Sequence, residues 1–155
     1  MHISLNAIAA SAALAGIASA VGSARVVNKC PFQVTTWSVG STISNPTTLV
    51  TGGVYSEPFT QDPRSGGRAI KITIDRDGLY TGKPQTIFAY NLLDGRVWYD
   101  LTSVFGNALE GYRVVAKSRD VACEAIAWED GISPAGSQVK NCQDRSDVTL
   151  TLCEQ

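Results

Sequence analysis

The chemistry available to this chain comes from carboxylates, hydroxyls, three tryptophans and four cysteines, because its single histidine, His2, stands at the second position. If the leader is removed, no imidazole remains, which excludes a Ser-His-Asp or Cys-His nucleophile system and any zinc site that relies on histidine. Hydrolysis would then fall to paired carboxyl groups. The most suggestive juxtaposition lies in the segment RVWYDL, residues 96 to 101. In an extended chain Arg96, Trp98 and Asp100 share one face, while Val97, Tyr99 and Leu101 share the other. An aromatic ring beside a carboxylate can stack on a sugar and hydrogen-bond its hydroxyls, which makes Asp100, Trp98 and Arg96 the candidate ligand-binding residues. Two plainer roles compete. An aspartate at a strand end commonly accepts backbone N–H bonds from its own turn, and packing is the favoured expectation for Trp37, Trp98 and Trp128 together.

The sequence DRDG (75 to 78) spaces Asp75 and Asp77 as a calcium loop does, but the remaining ligands of such a loop do not follow. A hairpin turn is the better reading. The segment DPRSGG (62 to 67) suits a binding loop or an ordinary connection equally. No metal or cofactor is expected.

These residues must be held by something, and the pattern of the chain says what. Residues 3 to 20 form an Ala-rich apolar run ending in small residues, which reads as a signal peptide. Residues 1 to 24 are assigned to it, with cleavage after Ala20 or Ala24, and 25 to 155 to a single domain. No later apolar run or hydrophobic tail suggests a membrane anchor. The 13 basic and 14 acidic residues are scattered, so no stripe that would track nucleic-acid phosphates is visible.

Beyond the leader, alternation with a period of two dominates: Ile70, Ile72 and Ile74 oppose Lys71 and Thr73, and Val148, Leu150 and Leu152 oppose Thr149 and Thr151. The same rhythm predicts strands over 25 to 29, 33 to 39, 85 to 92, 96 to 101, 112 to 117 and 125 to 129. Glycine, proline and aspartate punctuate these runs, and no sustained helical period interrupts them. The expectation is all-β, an antiparallel sandwich or flattened barrel with little helix.

An even number of cysteines in a short exported chain reads as a disulfide framework. Pairing Cys142 with Cys153 is disfavoured, since an extended strand over 147 to 153 carries the two apart. Cys30 with Cys153 and Cys123 with Cys142 is the preferred arrangement. On the chain-entropy argument the long bridge contributes about 4 to 5 kcal/mol and the short one about 3 kcal/mol.

Several stretches resemble a known family. NKCPF (28 to 32), QTIFAYNLLDGRVWYDLTSVFGN (85 to 107) and the closing DVTLTLC are similar to thaumatin-like proteins, and SVGS (38 to 41), YSEPF (55 to 59), GLYTG (78 to 82) and RVWYDL together resemble the small fungal antigenic members of the CetA and CalA type. The resemblance implies a sandwich closed by a bridge between the first and last cysteines, secretion, and association with the fungal cell wall, the conidial surface and germination. Some members bind β-1,3-glucan, and weak glucanase activity is attributed to an acidic cleft. Here Ala89 stands where the family's glutamate would be and Phe105 where its second aspartate would be, leaving Asp100. Substitutes would have to come from Glu57, Asp75, Asp77 or Asp94.

The expected protein is therefore secreted and non-enzymatic, a monomer that binds wall polysaccharide, β-glucan first. A weak carboxylate-dependent β-1,3-glucanase is the rival reading, and an adhesin or antigen that binds a host surface protein is the third. Nucleic acid is not an expected partner.

Overall fold

A computed structural model describes residues 20–155; His2 and the body of the leader lie outside them. The described chain consists of strands and connections without helix. Its eleven strands are β1 (Ser23–Asn28), β2 (Val34–Val39), β3 (Thr47–Leu49), β4 (Val54–Pro58), β5 (Gly67–Thr73), β6 (Gln85–Leu93), β7 (Arg96–Val104), β8 (Val114–Ser118), β9 (Ile126–Trp128), β10 (Lys140–Gln143) and β11 (Val148–Leu152). They form a five-stranded sheet in the order β4-β1-β11-β8-β9 and a six-stranded sheet in the order β10-β7-β6-β5-β2-β3. All pairs are antiparallel except β1 with β11, which run parallel.

Alternation builds the sandwich. Val26, Leu150, Val148 and Ala116 from one sheet and Ile70, Ile72, Phe88 and Leu101 from the other are fully buried in one cluster. Each such aliphatic or aromatic side chain is worth about 1.5 to 3 kcal/mol when removed from water, so the inward positions fix which way every strand faces. The predicted strands are present within a few residues. Strands β3, β4 and β10 were not foreseen, being short or poorly alternating.

Two details depart from expectation. β5 ends at Thr73, so Ile74 leaves the buried row and is exposed, while Thr73 is buried. The DRDG segment belongs to a longer loop of successive turns between β5 and β6, with Gly78 N–H donating to Asp75 O and Tyr80 N–H to Asp77 O. It is a hairpin connection, but not a tight one. The tight hairpin is β6 to β7, where Asp94 and Gly95 both take positive φ (51° and 71°), the conformation that matches the twist of paired strands.

Cys30 is bonded to Cys153 and Cys123 to Cys142. The first clasps the adjoining ends of β1 and β11; the second fastens the β8–β9 connection to β10 of the other sheet. Buried Asn28 shapes the approach to Cys30: its amide donates to Phe32 O and Leu49 O, both at 2.9 Å, and its oxygen accepts from Cys30 N–H at 3.0 Å. A buried amide satisfied on both ends specifies one loop path, and leaving its partners unpaired would cost about 1 to 3 kcal/mol each.

Of the two positions for leader cleavage, the one after Ala24 falls inside β1, where Ala24 is fully buried and faces Val148 and Glu57. The preceding residues are also engaged: Gly22 N–H donates to Asp144 O, Gly22 O accepts from Phe59 N–H, and Ser23 N–H donates to Asp147 Oδ1. Cleavage after Ala20 leaves this strand whole.

Candidate functional site

On the outer face of the six-stranded sheet, the row Val39, Ala69, Ala89 and Asp100 runs across β2, β5, β6 and β7 in direct register, and the next row places Gly67, Asn91 and Trp98 side by side. These are the positions opposite Ile70, Phe88, Tyr99 and Leu101, which point into the core. At the centre of the face the side chains are no larger than a methyl group, so the sheet surface is sunk between taller neighbours. The result is a trough of about 500 Å³, with Trp98 and Val139 among its walls.

The trough is mainly apolar, with Asn91 and Asp100 among the polar residues that line it. Trp98 is 41% exposed and so is available to a ligand, whereas Trp37 and Trp128 are buried. The packing expectation thus holds for two tryptophans and fails for Trp98, because register puts it on the face without a facing sheet. Asp100 is half-buried, and its Oδ1 accepts the N–H of Leu101 at 2.8 Å. It sits in mid-strand, since β7 continues to Val104, and not at a strand end as the sequence suggested. The Asn91 side-chain oxygen is buried with no hydrogen-bond partner among the described residues. Asn91 nevertheless lines the trough beside Trp98, its register partner on β7.

Arg96 does not line the trough. Its guanidinium donates through Nε (2.7 Å) and Nη2 to Asn141 Oδ1 on β10, which uses it to hold the edge strand that follows Val139. The structure therefore joins Trp98 with Asp100 and leaves Arg96 at the margin.

One end of the trough is built by the 62 to 67 loop. Asp62 is buried and accepts four hydrogen bonds: Oδ1 from the N–H groups of Arg64 (3.1 Å) and Ser65 (3.0 Å), Oδ2 from the N–H (2.8 Å) and hydroxyl (2.9 Å) of Ser41. These donors, the Ser65 and Ser41 N–H groups first, hold its carboxyl well below the usual carboxylate range. Gly40 is required beside it, because a Cβ there would lie 2.4 Å from Asp62 Oδ2. DPRSGG is thus a pinned connection that supplies Ser65 and Gly67 to the trough.

Behind the trough, between the sheets, Glu57 accepts the hydroxyls of Tyr55 and Tyr90, each at 2.7 Å. Arg68 lies 3.7 Å from Glu57 and 3.6 Å from Asp62 and donates to Ser38 Oγ. Burial, then the bond to Glu57 and its charge, push the Tyr55 phenol up to about 12 and raise that of Tyr90 as well. Of the carboxylates considered as substitutes, Glu57 is occupied here, and Asp75, Asp77 and Asp94 lie in connections away from the trough walls. Phe105 follows the end of β7, exposed and at positive φ (59°).

Sequence reasoning missed Val39, Ala69, Asn91 and Val139, and reached Gly67 only as the end of the 62 to 67 segment. The available signal was the alternation of small residues with large ones in GRAIKI and FAYN, which marks a sheet face kept low.

Comparisons with known proteins agree with this architecture. A family profile described as Bys1, Blastomyces yeast-phase-specific protein, matches residues 11–154. The chain is 30% identical to an antigenic thaumatin-like protein of Arthroderma benhamiae, over 97% of this chain and 80% of that one. It is 26% identical to the secreted thaumatin-like protein calA of Emericella nidulans, over 84% and 81%. Among solved structures, the protein elicitor MoHrip2 of Magnaporthe oryzae superposes with a TM-score of 0.71 at 25% identity, covering 86% of this chain and 99% of that one. The thaumatin-like xylanase inhibitor TLXI superposes with a TM-score of 0.55 at 16% identity, covering 84% and 99%, a likeness of fold. The two disulfides and the relative named as secreted are consistent with an extracellular protein.

Proposed function

The chain belongs to the Bys1 family of thaumatin-like proteins, and from that premise we propose that it is a non-enzymatic protein of the fungal cell wall or conidial surface whose trough holds a neutral wall polysaccharide, β-glucan first. A role in germination or wall remodelling would follow from that binding. The observation that carries the reading is the joint placement of exposed Trp98 with Asn91 and Asp100 around a floor of Gly67, Ala69 and Ala89. A pyranose presents apolar C–H faces and a rim of hydroxyls; an indole with a carboxylate and an amide side chain across a low floor matches both.

Glycoside hydrolysis uses two carboxyl groups about 5 to 9.5 Å apart. Asp100 is the one carboxylate that lines the trough among the described residues, and this supports binding over catalysis. The names antigenic and elicitor among the relatives support the third reading, in which a host protein is the partner.

The test is to incubate the purified protein with insoluble β-1,3-glucan, chitin and mannan, measuring both depletion from solution and reducing sugar released. Depletion from β-glucan without release is the expected result, weakened about tenfold or more in Trp98→Ala, since a buried aromatic contact of this kind is worth about 1.5 kcal/mol or more. Sugar release that vanishes in Asp100→Asn would replace this reading with the glucanase. Neither depletion nor release would favour a protein partner.

A further inference from the structure

On the opposite side of the molecule, the outer face of the five-stranded sheet holds a groove of about 480 Å³ in which cations gather: Arg25, Lys117, Arg119 and Arg145, around Thr149 and the single carboxylate Asp147. Register assembles it. Thr149 on β11 faces Arg25 on β1 and Lys117 on β8, so these three form one outward row. The antiparallel pairing of β8 with β11 then carries Arg119, just after β8, and Arg145, three residues before β11, to the same end of this row, where both line the groove. The whole chain carries a net charge of −1, so the cluster is a local excess and not a property of composition.

Its cations are unequally committed. Lys117 is paired with Glu154 through Nζ at 2.5 Å from Oε1, and Arg25 Nη1 lies 3.7 Å from Asp147 Oδ2. Arg119 and Arg145 are exposed and form no ion pair among the described residues. Arg25 Nε is buried and finds no hydrogen-bond acceptor among them. Two exposed, uncommitted arginines lining one groove with Arg25 and Lys117 are a setting that calls for an oxyanion. The groove is far larger than a lone ion needs, since a water molecule's share of liquid volume is only about 30 Å³. Threonine and serine hydroxyls line the remainder, as sugar hydroxyls prefer. Asp147 and Glu154 interrupt any continuous cationic track, which argues against a nucleic-acid backbone.

We propose that this groove is a second recognition site, for an anionic group, phosphate ester or carboxylate, carried on a polysaccharide. It is independent of the trough's ligand, and with both sites filled the protein would join a neutral and a charged polymer across its two faces.

The test titrates the protein, expressed as the full chain and exported by a eukaryotic host, with an oligogalacturonate, a phosphorylated mannose oligosaccharide, inorganic phosphate and a short DNA duplex at low salt. The expected result is binding of at least one of the two anionic oligosaccharides, and which of them binds assigns the carboxylate or the phosphate ester. That binding should fall at least about tenfold in Arg119→Glu with Arg145→Glu and weaken steeply as salt rises to about 0.5 M. The milder pair Arg119→Gln with Arg145→Gln should fall less, and Trp98→Ala should leave this binding unchanged. Absence of binding to both oligosaccharides, binding unaltered in the charge-reversed variant, free phosphate binding as tightly as the oligosaccharides, or a preference for the duplex would each overturn the proposal. Because β-glucan depletion is read separately, failure here leaves the trough reading standing, and the reverse.

Discussion

At the middle of the six-stranded sheet the outward positions are Gly67, Ala69 and Ala89; at the middle of the five-stranded sheet they are Arg25, Thr149 and Lys117. The inward positions behind both rows carry the same kind of side chain, Ile70 and Phe88 on one side and Val26, Leu150 and Ala116 on the other. Core packing therefore constrains the two sheets alike, while their outer faces are free to differ. One face is low and apolar, with an exposed tryptophan; the other is hydroxylated and cationic. A single sandwich can thus present two ligand chemistries without altering the elements that hold it together.

The comparison can be broken most completely by a change that ignores the faces. Replacing Cys30 and Cys153 together by alanine removes a clasp spanning 123 residues of chain, an expected loss of about 4 to 5 kcal/mol. Denaturant unfolding should show that loss, and both the trough and the groove should lose binding together; loss at one face alone would mean that the sheets are held separately. The same change at Cys123 and Cys142, spanning 19 residues, should cost less, about 3 kcal/mol.

A second measurement asks whether the groove is whole in the exported protein. Intact-mass analysis should find a mature chain beginning at Val21, because β1 carries Arg25 and is anchored by Gly22 and Ser23. A chain beginning at Arg25 would have lost those bonds and the buried Ala24, and should unfold at lower denaturant.

The smallest expected effect sharpens the trough alone. In Asp62→Asn one of the two carboxylate oxygens becomes an amide donor, which sets it against either the Ser41 donors or those of Arg64 and Ser65. Because Asp62 titrates below its unfolded value of about 3.9, its carboxylate adds stability above that pH, and the contribution drains away as pH falls through the folded value. Thermal unfolding followed from about pH 5 to pH 2 should therefore fall less steeply in Asp62→Asn than in the parent. Binding of β-glucan should weaken modestly, with the anionic groove unaffected. A parallel acid limb in both proteins would remove Asp62 as the pin of this loop.

Much of the fold was legible in the chain. The alternation in GRAIKIT and VTLTL assigns inner and outer residues before any coordinate is known, and the motifs at 28 to 32, 85 to 107 and 147 to 153 carry the family resemblance. Trp98 and Asp100 could be placed on one face because they stand two residues apart in a single strand. Arg96 shares that spacing and still leaves the trough, since its reach is decided by Asn141, far along the chain.

What the sequence by itself determined is local: which residues alternate, where the chain turns, and that the one imidazole stands at His2. Only the tertiary structure decided which strands lie side by side, including the parallel meeting of β1 with β11. That pairing sets Arg25 beside Thr149 and Lys117, and the register of β5, β6 and β7 sets Gly67 beside Asn91 and Trp98. The physical reason is that a strand's two faces follow from a period of two within a few residues, whereas neighbours across a sheet come from segments distant in sequence whose meeting is chosen by burial of the whole core.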